Sequence, residues 1–378
     1  MKIGIMSDTH RDKDNALSYI VQKGFLRLGV EHVIHCGDIE WEHVRSDLFG
    51  GLRVTCALTD EQIDESGGDP GKLCPNGIPD NWEFTIPGDR IRKIGDIYAY
   101  IGHKRSFEFL FKSENELLKV FDEIRTNHNN VRYVFSGHTH HQIMLGSPLI
   151  TFINPGAVES ALGAAGGYEF AILDTESESI TFNRIRYPVP VKKQLKVGII
   201  SDSFDVAEMN PPFWDKLAEK FKEENVTHVI HCGNISLQDI GKILPGFNVY
   251  CNLRSDQEFK GEKPANWELF SEENPIVDIY GYKFCIQLNV GQELVKENEI
   301  QMQDRSMGIL LRYPEIKFLL CGHTRNAFFE EGQGLVILNP GDVIGDGSYA
   351  ILSLPYYKIT FSRIHRDPLP PLDEVLLK

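Results

Sequence analysis

At 378 residues, with 42% hydrophobic and 25% charged residues, the chain has the make-up of a soluble globular protein long enough to bury two ordinary cores. Its net charge of −15 argues against a general affinity for nucleic acid or anionic membranes, but leaves room for a local basic pocket and a small phosphorylated substrate. No apolar run approaches the roughly 20 residues that span a bilayer, and Asp8 and His10 interrupt the N-terminal apolar stretch too early for a signal peptide.

In chain order, the first signal is a β-branched run from Ile3 to Met6 that ends at Ser7-Asp8. A run so short and apolar fits a strand buried on both faces. A helix should follow, its apolar face beginning with Ala16, Leu17, Ile20 and Val21. A second strand, His32 to His35, ends at Gly37-Asp38. The stretch from Asp64 to Asn81, rich in Gly, Pro and Asp, reads as a solvated loop near the site with the placement of a lid. Ser113-Glu-Asn-Glu116 has the form of a capping box for a helix carrying Leu117, Leu118, Phe121 and Ile124. A strand through Tyr133, Val134 and Phe135 then delivers Gly137-His-Thr-His140, and YEFAILDTESESITFNRIRYP looks like a closing hairpin.

The chain then repeats itself. KIGIMSDTH, from Lys2, returns as KVGIISDSF from Lys196, and VIHCGDIE, from Val33, as VIHCGNIS from Val229. SGHTHHQ, from Ser136, returns as CGHTRNA from Cys321, and INPGAV, from Ile153, as LNPGDV from Leu338. A period near half the chain means two whole domains, 1–190 and 196–378, rather than a solenoid. Tyr187 to Lys196, with two prolines and three lysines, reads as the linker. In the second copy Trp214, Leu217, Ala218 and Phe221 fall on one helical face, and SYAILSLPYYKITFSRIHRDP repeats the hairpin. The fold class is therefore α/β: two α/β domains, each with mixed sheets, whose sites lie beyond strand ends. Seven cysteines, none in a C-x-x-C pair, read as buried free thiols of a reducing, cytoplasmic protein.

In the first copy Asp8, His10 and Asp38 leave the first two strands, and His138 and His140 a later one. Carboxylates and imidazoles converging at strand ends suit a divalent transition metal such as Mn, Fe, Ni or Zn. Asp8-x-His10 lets one loop grip an ion twice, and Gly37 and Gly137 let backbone approach a crowded site. His35 and His231 precede Cys-Gly in both copies, which favours packing over catalysis.

The set D-x-H, G-D, G-H-T-H and N-P-G, in this order, resembles the calcineurin-like metallophosphoesterases, in particular their small bacterial and archaeal phosphodiesterase branch. The resemblance covers both copies. It implies an α+β-type four-layer domain, a β-sandwich flanked by helices, with a metal-activated water attacking phosphorus. It matches Asp8, His10, Asp38 and His140 to a complete first metal site, with Asp38 also bridging. For a second metal, Asp38 and His138 are present, but Ala57 stands where the second copy has Asn252, and Ile101 where a His is expected. Asp60 or His103 replaces the missing ligands only with a local shift in register. His138 would orient phosphate or protonate the leaving group, and Asp38 would serve the same reaction.

In the second copy Asp202 survives, but Phe204, Asn234 and Arg325 replace a His, the bridging Asp and a His. Gln287 falls near the middle His position, while Asn252 and His323 remain. Loss of the bridging carboxylate removes the charge that holds two cations close together. This copy should be metal-free. Arg325 beside His323 has the chemistry to grip a phosphate, although a drifted surface residue is its plainer reading. Asn154 and Asn339, each before Pro-Gly, read as turn residues that support their sites.

Two functions follow. One is a metal-dependent phosphoesterase acting from the first copy on a small phosphorylated substrate, with the second copy shaping the cleft or mediating homo-oligomer or partner contacts. The other is a degenerate scaffold of the same fold, for which the retromer subunit of this superfamily is the analogy. The uneven loss between copies favours the enzyme.

Overall fold

The computed structural model describes the chain apart from residues 11, 13–14, 42–43, 46, 104–113, 147–148, 159–167, 186–192, 205–210, 255–256, 258, 272–274, 289–306, 324–325, 333–334 and 365–378. The first half runs β1 (Lys2–Met6), α1 (Ala16–Leu28), β2 (His32–His35), β3 (Arg53–Ala57), α2 (Asp60–Ser66), β4 (Trp82–Thr85), β5 (Ile91–Ile94) and β6 (Ile97–Gly102). It continues with α3 (Glu114–Asn127), β7 (Val131–Ser136), β8 (Gln142–Gly146), β9 (Thr151–Pro155), β10 (Tyr168–Asp174) and β11 (Ser179–Ile185). The second half opens with β12 (Leu195–Ile200), α4 (Pro211–Glu223), β13 (His228–His231), β14 (Asn248–Leu253), β15 (Trp267–Ser271) and β16 (Ile276–Ile279). It closes with β17 (Tyr282–Gln287), β18 (Phe318–Cys321), β19 (Ala327–Gly332), β20 (Leu335–Pro340), β21 (Ser348–Leu354) and β22 (Lys358–Arg363).

Each half supplies both layers of a β-sandwich, as expected, and the two sandwiches are joined edge to edge. They share both sheets. One sheet has the order β15-β14-β13-β12-β21-β22-β11-β10-β1-β2-β3-β4, the other β16-β17-β18-β20-β19-β8-β9-β7-β6-β5. Since β12 to β22 repeat β1 to β11, each order reads the same from either end. At the seam β11 pairs antiparallel with β22, and β8 with β19. Thr181 lies opposite Thr360, its counterpart in the aligned ITF segments, and Met144 lies opposite Phe329, its counterpart after Gly-His-Thr. A residue facing its own counterpart marks a pseudo-twofold axis, the symmetry of an isologous dimer contact.

One apolar core fills the space between the sheets and runs through the seam, including Ile3, Phe135 and Phe182 from the first half and Phe284, Phe329 and Phe361 from the second. Phe182 and Phe329 meet across the seam with ring centroids 4.8 Å apart. Separate cores lie under α1, α3 and α4 on the outer faces, which gives the helix–sheet–sheet–helix layering. All seven cysteines are free and buried. Among the described residues no helix is long and apolar enough to cross a membrane.

Several local expectations need correction. On α1 Ala16 is exposed, but Leu17 packs partly buried against the core with Val21 and Phe25, so the expected face begins at Leu17. Leu195 and Lys196 belong to β12 rather than to a linker, and residues 187–192 lie outside the described residues. The segment from Asp64 to Asn81 is mostly exposed, as expected of a solvated loop, but it starts inside α2 and is anchored at its end, where Asn81 Nδ2 donates to the Phe49 and Leu52 carbonyls at 3.0 and 2.6 Å. Cys74 within it is buried in the core under α1. Ser113 of the expected capping box lies outside the described residues, although α3 begins at Glu114. The face of α4 agrees with expectation, with Trp214, Leu217, Ala218 and Phe221 all buried.

Phe329 is fully buried at the axis, between Phe182 and Phe361. Phe329→Ala should cost about 3–5 kcal/mol. Urea unfolding should show it as a lower midpoint at unchanged slope.

Candidate metal centre

The loops leaving β1 and β2 zip together by main-chain bonds, Asp8 N–H to Gly37 O at 3.1 Å and Thr9 N–H to Asp38 O at 3.0 Å. Asp8, Asp38, His138 and His140 all take positive φ, 56°, 62°, 87° and 60°. Such backbone costs on the order of 1–3 kcal/mol per residue and persists only where its surroundings enforce it. Here the enforcement is steric as well as polar. A Cβ on Gly137 would lie 1.7 Å from Ser7 Oγ and 2.9 Å from Asp8 Oδ2, and one on Gly37 would lie 2.8 Å from His103 Cβ. His35 is part of the frame: its Nδ1 accepts from Gly37 N–H at 3.2 Å, and its Nε2 meets Thr9 Oγ1 at 3.2 Å. Burial lowers its pKa to about 3, so the ring stays neutral and can accept. His231 repeats the arrangement with Gly233 N–H at 3.1 Å and Ser203 Oγ at 2.7 Å, which makes both histidines structural.

On this frame Asp8, His10, Asp38 and His140 each offer a ligand atom, all within 4.8 Å of one another. His10 Nδ1 lies 3.2 Å from Asp38 Oδ2, and His140 Nε2 lies 3.4 Å from Asp8 Oδ1. The latter is a charge approach, too long for a strong hydrogen bond, and Asp8 Oδ1 is buried without a well-formed partner. Burial pushes the Asp8 pKa up, but the contact with His140 and the nearby His103 and Ser7 outweigh it, bringing it down to about 2. Asp38 is likewise held below the ordinary carboxylate value, its desolvation being outweighed chiefly by His10. His140 is raised by its contact with Asp8. Two ionised carboxylates, two imidazoles and a buried oxygen lacking a good partner are a donor set that fits a divalent transition ion.

The other candidates divide. His138 stands outside this set of four. Its main-chain N–H donates to Asp8 Oδ2 at 3.0 Å, and its ring meets the His103 ring edge-on at 5.2 Å. Burial, then the charge of His103, lowers its pKa. His103 does reach the centre. It is buried, its Nδ1–H donates to Cys36 O at 2.8 Å, and its Nε2 is 3.9 Å from Asp8 Oδ1. Asp60 does not: it starts α2 and faces Arg90 Nη2 at 3.7 Å. Ala57 and Ile101 are buried apolar residues of the core between the sheets.

In the second half Asp202, Asn234 and His323 keep the positive φ, 57°, 58° and 74°. The Asp202 carboxylate is satisfied internally, by Ser201 Oγ–H at 2.9 Å, Asn234 Nδ2–H at 2.8 Å and His323 N–H at 3.0 Å. Phe204 is half-exposed, and Asn252 donates to Ile286 O at 2.8 Å. Gln287 pairs with Cys321 as Gly102 pairs with Ser136, so it occupies the position of Gly102, and Leu288 that of His103. Arg325 lies outside the described residues. Among the described residues no second group of His, Cys, Asp or Glu has metal-ligand spacing.

A profile of the calcineurin-like phosphoesterase superfamily domain matches residues 1–178 and again 195–355. The chain belongs to that superfamily. The phosphoesterases of this superfamily hydrolyse phosphate esters and use divalent metals. The chain is 28% identical over 159 residues to a phosphodiesterase of Methanocaldococcus jannaschii, a match covering 40% of this chain and 86% of that one. Among solved structures, an archaeal phosphodiesterase is 22% identical, covering 49% of this chain and 100% of its own, with a TM-score of 0.34. A predicted phosphoesterase of Streptococcus pneumoniae is 21% identical, covering 50% and 92%, with a TM-score of 0.32. Vacuolar protein sorting 29 of Cryptosporidium parvum is 16% identical, covering 46% and 99%, with a TM-score of 0.31.

Gly137→Ala should disrupt the centre by sterics alone, because the added methyl overlaps Ser7 Oγ. The expected loss is about 1–3 kcal/mol of stability, seen in thermal melts, together with reduced metal retention after dialysis.

Proposed function

We propose that the first half hydrolyses a small phosphate ester with one tightly held divalent ion, and that the second half is metal-free. The convergence of the Asp8, His10, Asp38 and His140 ligand atoms within 4.8 Å carries this reading. Mn, Fe, Ni or Zn suits the mixed carboxylate and imidazole donors. When bound, such an ion supplies a nucleophilic water at neutral pH and polarises phosphoryl oxygens. The protein's own groups do the rest. Asp8 and Asp38 stay ionised at neutral pH to hold positive charge. His138, kept neutral by its lowered pKa, presents a ring N–H to a phosphoryl oxygen at the rim. A second, weaker ion would have Asp38 and His138 but lacks the ligands replaced by Ala57 and Ile101. Uneven retention of the two centres supports an enzyme over a scaffold.

The test is metal content per purified chain, paired with hydrolysis of an aryl phosphodiester and an aryl phosphomonoester in added manganese. About one ion per chain, with turnover abolished in both Asp38→Ala and His140→Ala, is the expected result, since loss of metal ligation removes the nucleophile. Unchanged turnover in either variant refutes the proposal.

Binding also has a pH signature. His140 has a raised pKa in the ion-free centre, and its proton must leave before Nε2 can ligate. Manganese affinity should therefore weaken as pH falls through and below the raised His140 value. Calorimetry in two buffers of different ionisation enthalpy should report proton release on binding.

A further inference from the structure

A charged cluster crosses the seam beneath the metal centre. Arg184 on β11 pairs through Nη2 with Glu169 on β10, and through Nη1 with Glu331, which comes from β19 of the second half. The three side chains are only 4%, 4% and 11% exposed. A buried ion triad is weak evidence for stability, since apolar residues of similar volume often do as well or better. Its position shows another use. Glu169 lies flat on the Asn-Pro-Gly turn, where a Cβ on Gly156 would come within 2.0 Å of Glu169 Oε2. Gly156 N–H donates to Asn154 Oδ1 at 3.0 Å, and Asn154 Nδ2 reaches Gly137 O at 3.2 Å and Thr139 Oγ1 at 3.0 Å. Those residues flank His138 and precede His140. A second route is more direct: the ring of His141, next to His140, interacts with the main chain of Glu331.

The linkage runs one way. By the pseudo-twofold, Glu331 corresponds to Gly146, Glu169 to Ser348 and Arg184 to Arg363. Arg363 pairs with Asp346 of its own half at 3.3 Å, both about a quarter exposed, and Gly146 has no side chain to send across. At these positions, among the described residues, it is the centre that keeps its ligands that is braced from the other copy.

We propose that Glu331 is a positioning residue: the second half supplies it to hold, through Arg184 and Glu169, the loop that carries His138 and His140. This rests on the metal-centre reading above.

The test is a titration of the full chain with Co2+, which reports affinity and, through its visible absorption, ligand geometry. Glu331→Ala should bind Co2+ about tenfold more weakly, with an altered visible spectrum, in the range expected for loss of a group supporting metal ligands. Glu331→Gln, whose amide oxygen still accepts from Arg184, should recover most of the affinity. Asp346→Asn, which breaks the corresponding pair in the second half, should change neither affinity nor spectrum. If Glu331→Ala fails to fold, Arg184→Lys reads the same quantity, because one ammonium cannot span both carboxylates in the guanidinium's geometry. Wild-type affinity and spectrum in a folded Glu331→Ala, or in Arg184→Lys, overturn the inference. A wild-type chain that takes up no stoichiometric Co2+ overturns the metal-centre reading itself.

Discussion

Every strand edge carries a row of N–H and C=O groups that need partners, and an unpaired edge is an open template for association. Besides the outer edges β4 and β5, the first half has an edge at β8 in one sheet and at β11 in the other. The second half meets both at once, with β19 and β22. From that double pairing follow the continuous core, the pseudo-twofold axis through Thr181/Thr360 and Met144/Phe329, and the reach of Glu331 into the other half. The second copy is therefore part of the first copy's fold, whatever its own chemistry.

The two strand-end centres share one backbone and differ in what stabilises it. Asp202 is held by three neutral donors, with the Asn234 amide crossing to it as a hydrogen-bond strut. Asp38 faces His10 and Asp8 faces His140 instead, and a carboxylate oxygen of Asp8 stays buried without a well-formed bond. Unpaired buried charge is costly in low dielectric. Such a set has the chemistry to hold a divalent cation, whereas the Asp202 carboxylate is already satisfied by its own half. With the Asn234 amide where the first half has Asp38, the same positive-φ backbone becomes a self-satisfied turn.

Much of this was legible in the sequence. The short strands β2 and β13 lie where the apolar runs between polar ends placed them, because both faces of each are buried. The four ligand candidates converge because each follows a strand whose direction the sheet fixes. His103 was harder to place, since alternation along β6 turns Ile101 inward and leaves the first residue beyond the strand to enter the centre. The face of α1 was legible from Leu17 and Val21, which lie in phase with Phe25, although Ala16 at its start is exposed. Sheet continuity was invisible, since periodicity records which faces are buried and not which edges meet. The Arg184 cluster was invisible too: a charged residue in a strand reads as solvent-facing until a neighbouring chain segment covers it.

A symmetric dimer made from separate subunits must accept every mutation twice, once in each partner, at symmetry-related places. Covalent fusion removes that constraint. With Phe329 facing Met144 and Glu331 standing where its mirror position holds Gly146, the two sides of the interface have already taken different residues. The duplicated gene can therefore specialise as a heterodimer does, one copy drifting in chemistry while it is selected for how well it shapes the other. Because both halves are made as one molecule, their stoichiometry is fixed at synthesis and does not depend on the concentration of a partner.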